Sequence, residues 1–170
     1  FAFREAGGDF RVEVSVADLV ADVGGQYRKA GLMVRSGLEA DAARLMAMYV
    51  PDFPTGQPAL QFDVRASDGG TATELSSTVQ NVSLPARVAL TRRGDSWTVS
   101  YTVDGVEWID PLGAAGGTVE VPMTGPALVG TAVASYDPQQ AFAVDFDDFR
   151  LCHGSDLPLA DPGLEPVCDP

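Results

Sequence analysis

At 170 residues and 45 % apolar content the chain has the length of one domain and enough material for a sizeable core, so neither disorder nor a fibrous repeat is indicated. A formal charge of −13 argues against nucleic acid as a ligand, because the phosphates would be repelled, while it favours solubility and is compatible with cation binding. No apolar run approaches the length that spans a bilayer, and FAFREAGGDF at the start lacks the basic, then apolar pattern of a signal peptide. An exported protein would have lost such a segment or carry it beyond this sequence.

Taken in order, Phe1–Arg4 can form a short strand before the turn at Gly7-Gly8. Asp9–Ala17 alternates, with Phe10, Val12, Val14 and Val16 facing one way and Arg11, Glu13 and Ser15 the other. Lys29–Arg35 places Leu32 and Val34 opposite Met33 and Arg35, and Ala43–Val50 reads as the next strand. The prolines of Pro51–Pro58 demand a loop. Ala59–Ala66 then sets Leu60, Phe62 and Val64 against Gln61, Asp63 and Arg65, and a weak strand is expected near Glu74–Ser77.

The chain is organised around Ala86–Trp108, a meander of two strands, Ala86–Arg92 and Trp97–Val103, joined at Gly94-Asp95 and followed by a tight turn at Asp104-Gly105. Glycine at each turn supplies backbone angles that a Cβ would penalise. Short strands at Val119–Val121 and Ala127–Ser135 follow, the latter rich in small residues as in the middle of a sheet. Ala141–Leu151 is the last strand, with Phe142, Val144 and Phe146 on one face and Ala143, Asp145, Asp147 and Phe149 on the other. Many short strands, regular turn signals and no persuasive helix predict an all-β sandwich.

Cys152 and Cys168 flank a Pro/Gly-rich tail, residues 152–170. A disulfide there would add roughly 3 kcal/mol for a loop of this length and would imply an extracellular or cell-surface setting. Two free thiols, or a metal pair with His153, are the alternatives, although the ligand count is too low for structural zinc.

Several ordered motifs carry a resemblance: Gly8-Asp9-Phe10, Lys29–Arg35, Phe62 with Arg65, Leu90-Thr91-Arg92 with Gly94-Asp95, Val103-Asp104-Gly105 with Trp108, Val129-Gly130, and Phe146–Phe149. Over residues 1–151 the chain resembles the concanavalin A-like jelly-roll modules of bacterial secreted proteins, the domain-of-unknown-function family that takes in the yeast enolase-regulation protein and modules appended to β-xylosidases. The resemblance implies two antiparallel sheets, one face concave, and a carbohydrate-binding or adhesion accessory role. Members of that family carry one or two further strands before the position of Phe1, so the sequence is expected to begin inside a larger protein. The tail lies outside the pattern.

Sugar recognition needs planar hydrogen-bonding side chains beside an apolar platform. Arg35, Gln61, Asp63 and Arg65, with Met33 and Tyr49 nearby, are the expected contacts; the competing role is a cross-strand ladder with Asp63 between arginines. Phe53 and Tyr136 are further ligand-facing aromatics, whereas Trp97 and Trp108 are expected in the core, Trp108 capping one end of the sandwich. Asp145 and Asp147 share a face and could join a structural calcium site, with outside ligands. Arg93-Gly94-Asp95 is read as a turn rather than an adhesion motif. Retaining glycosidases of this fold carry Glu-x-Asp-x-Glu on one strand, and no such run occurs here. The expected function is therefore a non-catalytic module whose partner is a glycan. A structural domain packing against a neighbouring domain or subunit is the alternative, and a glycoside hydrolase fragment, using for instance Asp63 with Glu74, ranks last.

Overall fold

Period-two alternation on both sides of the chain's turns resolves into two stacked antiparallel sheets in the computed structural model, which describes residues 1–20, 28–52, 56–75, 78–113, 117–135, 142–154 and 168–169. The strands are β1 (Ala2–Ala6), β2 (Phe10–Val20), β3 (Lys29–Arg35), β4 (Arg44–Val50), β5 (Ala59–Arg65), β6 (Thr73–Glu74), β7 (Val79–Gln80), β8 (Ala86–Arg93), β9 (Ser96–Thr102), β10 (Val119–Glu120), β11 (Ala127–Ala134), β12 (Ala143–His153) and β13 (Cys168–Asp169). The first sheet runs β1-β11-β3-β4-β5-β6 with β7 also on β5, and the second runs β10-β9-β8-β2-β12-β13. No helix occurs among the described residues.

The core lies between the sheets. Phe10, Val12, Val14 and Val16 of β2, Val88 and Leu90 of β8, and Trp97 and Val99 of β9 meet Leu32 and Val34 of β3, Leu45 of β4, and Leu60 and Phe62 of β5. All of these are buried, and each side chain of this size adds roughly 1.5–3 kcal/mol on leaving water. Trp97 is fully buried, as expected, and its Nε1–H donates to the Val121 carbonyl at 3.1 Å. Beside it, Arg92 donates to the carbonyls of Gly94 (2.8 Å), Met123 (2.6 Å) and Gly125 (3.3 Å). One end of the sandwich is thus closed by residues 121–125 pinned to the β8–β9 hairpin. At the hairpin tip Gly94 has φ 61°, and its N–H donates to Asp9 Oδ1 at 2.8 Å, so Arg93-Gly94-Asp95 serves the turn.

Two glycines decide how the first sheet packs sideways. A Cβ on Gly31 would lie 2.1 Å from the Ala47 carbonyl oxygen, and one on Gly130 would lie 1.9 Å from that of Ala2. Only glycine permits the close approach of β3 to β4 and of β11 to β1 at these points.

The last strand differs from its expected phase. Register shifts break the β12–β2 pairing at Asp145/Phe146 and at Asp147/Arg150, and Asp148 takes φ 52°. The second bulge inserts a residue, so Phe149 packs toward the core with Phe146 rather than facing out with Asp147. The sandwich also passes the expected boundary at residue 151: β12 continues to His153, and β13 pairs with Leu151–Cys152 as an edge strand. Cys152 and Cys168 stand opposite each other in that register and form a disulfide, sequence separation 16.

Candidate functional site

Opposed residues on neighbouring strands form rows across the outer face of the first sheet. Arg35, Arg44 and Arg65 make one row on β3, β4 and β5. The next is Met33, Met46 and Asp63, extended by Glu74 on β6 and, beyond Gly130 on the other side, by Phe3 on β1. A third row holds Gly31, Met48 and Gln61. Outward side chains of an open sheet are usually wet, yet Met33, Met46, Met48 and Ala132 form a second buried apolar cluster here, with Met48 only 1 % exposed. Lys29 Nζ reaches to 3.5 Å from Asp63 Oδ2 across β4, and Gln61 is 8 % exposed with its Oε1 lacking any hydrogen-bond partner among the described residues. Phe1, just before the edge strand, and Phe3, on it, stack at 5.1 Å between centroids, both exposed.

The arginine row borders the loop formed by residues 36–43. Arg35 Nε donates to the Gly37 carbonyl at 3.0 Å and its Nη2 to that of Glu39, while Arg65 Nη1 donates to Ala40 (2.9 Å) and Ala42 (3.3 Å). Asp68 holds the same loop from the other side, accepting from the Ala43 N–H at 2.7 Å and the Ser36 hydroxyl at 2.8 Å. Those two hydrogen bonds, the backbone one first, keep its carboxyl below the usual carboxylate range. Between the two loop-binding arginines, Arg44 Nε is buried without an acceptor among the described residues, and so is Arg65 Nε. Burial holds the Arg44 guanidinium below the ordinary arginine value; Arg65 and Arg35 push it the same way, and Asp63 opposes them.

The face therefore brings Arg35, Gln61, Asp63 and Arg65 together, as the alternation of β3 and β5 predicts, along with Met33. Their partners differ from expectation. Asp63 pairs with Lys29 rather than standing between arginines, and Arg35 and Arg65 spend part of their guanidinium groups on loop carbonyls. Tyr49 is a correction: opposite Ala30 and Leu60, it faces inward, 6 % exposed in the core. Burial, and then Asp52, push its hydroxyl pKa up. Sequence reading missed Lys29, Arg44, Met46 and Met48. The signal was present, since Arg44, Met46 and Met48 share one parity of RLMAMYV, but the other parity is equally apolar.

Asp145 and Asp147 are exposed on the outer face of β12, with Asp18 directly across from Asp145. Among the described residues no group of three or more His, Cys, Asp or Glu that could hold a metal ion occurs. Phe53 and Tyr136 lie outside the described residues. Trp108 is half-buried and does not cap the sandwich: its ring covers the Arg11 guanidinium at 4.3 Å on the outer face of the second sheet. Arg11 there pairs with Glu13 (2.6 Å) and donates to Thr91 and Ser100 (3.2 Å each), and Arg87 meets Glu13 at 3.2 Å. That polar face is occupied by its own residues. Among the described residues, Arg44 Nε, Gln61 Oε1 and Arg65 Nε on the first sheet's outer face are buried without a partner, as is Arg87 Nε on the second sheet.

No protein-family model matches the sequence, and no curated protein matches it. Solved structures do match in shape. A functionally unknown protein from Saccharomyces cerevisiae superposes with a TM-score of 0.67 at 20 % identity, over 89 % of this chain and 72 % of that one. A xylan β-1,4-xylosidase from Bacillus halodurans C-125 gives 0.62 at 19 % identity, over 85 % of this chain and 28 % of the xylosidase. A GH43 protein from Bacillus licheniformis gives 0.64 at 13 % identity, over 85 % and 27 %. At such identities the likeness concerns the fold: the chain is an all-β sandwich of two antiparallel sheets, as those neighbours are. It spans little more than a quarter of each Bacillus protein it matches.

Proposed function

We propose that the chain is a non-catalytic carbohydrate-binding module of an exported protein, of the bacterial concanavalin A-like kind it resembles. The observation that carries this reading is the polar group on the outer face of the first sheet, Gln61 with an amide oxygen that lacks a partner among the described residues and the Lys29–Asp63 pair, set beside the buried methionine cluster. The amide and the charged pair take sugar hydroxyls, and the buried methionines hold those groups on an apolar base. Asp63 and Glu74 do face each other, but the first is engaged by Lys29 and the second accepts from the Thr78 hydroxyl, which supports a binding rather than a hydrolytic role. The disulfide supports an oxidising compartment.

Titration calorimetry with oligosaccharides, xylo-oligosaccharides included, tests the reading in calcium and again in chelator. Binding indifferent to chelator and lost in Gln61→Ala, with an unchanged circular dichroism spectrum, is expected. Silence across the panel would overturn it. The stacked, exposed Phe1, just before edge strand β1, and Phe3, on it, favour a second reading, an assembly domain packing against a neighbour through that edge. That reading predicts no sugar binding, and self-association reduced by Phe3→Ser in sedimentation velocity.

A further inference from the structure

Recognition of neutral sugar hydroxyls has no need of three arginines in one row. Arg35, Arg44 and Arg65 are directly opposed on adjacent strands, which stand roughly 4.8 Å apart. None of the three forms an ion pair with an acid among the described residues; the nearest outward acid, Asp63, is taken by Lys29. The Nε–H groups of Arg44 and Arg65 are both buried and both lack an acceptor among the described residues, on neighbouring strands of the same face. A buried charged donor left unpaired is costly, so two side by side mark a place suited to an incoming acceptor with negative charge. The Arg35 and Arg65 contacts to the 36–43 loop fix the flanking guanidinium groups in place, so the site is preorganised.

We propose that this row is a subsite for an oxyanion borne by a glycan, a hexuronate carboxylate or a sulfate ester, lying at one end of the sugar-binding face. The inference rests on the carbohydrate reading and names the class of sugar it takes. Gln61 lies four residues from Arg65 on the same face of β5, roughly 13 Å away, so an oligosaccharide along that face would reach both. Guanidinium groups suit the anion because their planar forks bind carboxylate or sulfate oxygens in pairs. The overall charge of −13 repels a polyanion at long range, and within the screening length of about 8 Å at physiological salt the arginine row sets the local field.

The test is titration calorimetry on the whole chain with an oligogalacturonate, its neutral methyl ester and a sulfated galacto-oligosaccharide of equal length. Expected is tighter binding of one of the charged sugars than of the ester, by about ten- to a hundredfold, the worth of a charge-assisted hydrogen bond. In Arg44→Met the preference for charged over neutral sugar disappears. Whichever charged probe is preferred identifies the source of the oxyanion. Equal binding of charged and neutral sugars, or a preference that survives Arg44→Met, overturns the anion subsite. If in that case ester binding is lost in Gln61→Ala, the carbohydrate reading still stands. No binding of any probe overturns both. Should Arg44→Met fail to fold, the Nε–H resonances of Arg44 and Arg65 in the native chain decide: they shift with a charged sugar and not with the ester, and absence of that shift overturns the proposal.

Discussion

Lys29 Nζ stands 3.5 Å from Asp63 Oδ2 although β4 runs between their strands. By register the pair crosses the strand at Met48, so it covers one of the most deeply buried residues of an outward face. Each side chain retains some solvent exposure, 20 % and 15 %, which places the pair between a surface and a buried ion pair.

A double-mutant cycle on Lys29→Met and Asp63→Asn is expected to give a coupling of about 1 kcal/mol, because a half-buried pair keeps more of its attraction than an exposed one. Urea unfolding of the four proteins measures it. Coupling indistinguishable from zero would mean that the contact merely decorates the face.

The Cys152–Cys168 disulfide closes a loop with a sequence separation of 16, for which chain entropy gives about 3 kcal/mol. Reduction, or the double substitution Cys152→Ser with Cys168→Ser, is expected to lower the melting temperature by about 6–12 °C for a domain of this size. A Tm unmoved by reductant would show that β13 and the tail unfold independently of the sandwich.

The sandwich was legible because most strands alternate in only one phase: in β2 the residues Phe10, Val12, Val14 and Val16 oppose Arg11, Glu13 and Ser15, and all four apolar ones are core. Where both phases are apolar the signal fails, and in RLMAMYV period two cannot say whether Tyr49 or Met48 faces inward. Bulges defeat it as well, since one inserted residue near Asp148 reverses the phase of Phe149. Half of the candidate face was visible as Arg35, Gln61, Asp63 and Arg65. Their partners were not, because the loop carbonyls that hold Arg35 and Arg65, and the lysine that holds Asp63, depend on contacts the linear pattern does not encode. Trp108 was misplaced for the same reason: its partner, Arg11, lies almost a hundred positions away in sequence on another strand.

Asp104 organises the turn after β9. Its Oδ1 accepts from the N–H groups of Val106 (2.9 Å) and Glu107 (3.0 Å) and from the Thr102 hydroxyl (2.8 Å). These bonds favour the ionised form and draw its carboxyl down to about 2, against 3.8 ordinarily. A depressed acid stabilises the fold above its unfolded value and loses that contribution as pH falls through the folded one, here between 3.8 and about 2. Carboxyl NMR should therefore show Asp104 titrating near pH 2, and Asp104→Asn should flatten the stability profile in that window. A midpoint near the ordinary value would mean that the turn is open in solution.

Arg44 carries an opposite signature. A base whose pKa is lowered on folding destabilises the folded state at every pH where it is charged in both states, and burial together with Arg65 and Arg35 lowers this one. Methionine at position 44 would extend the Met33–Met46–Met48 cluster and remove the repulsion within the row. Arg44→Met is expected to stabilise the chain by about 0.5–2 kcal/mol, the usual gain when a functional compromise is relieved. Chemical denaturation measures the gain, and calorimetry on the same sample measures the loss of preference for charged sugar. A destabilised Arg44→Met would show that the guanidinium is a structural tie, and its stabilisation without any change in sugar preference would mark it as neither tie nor ligand contact.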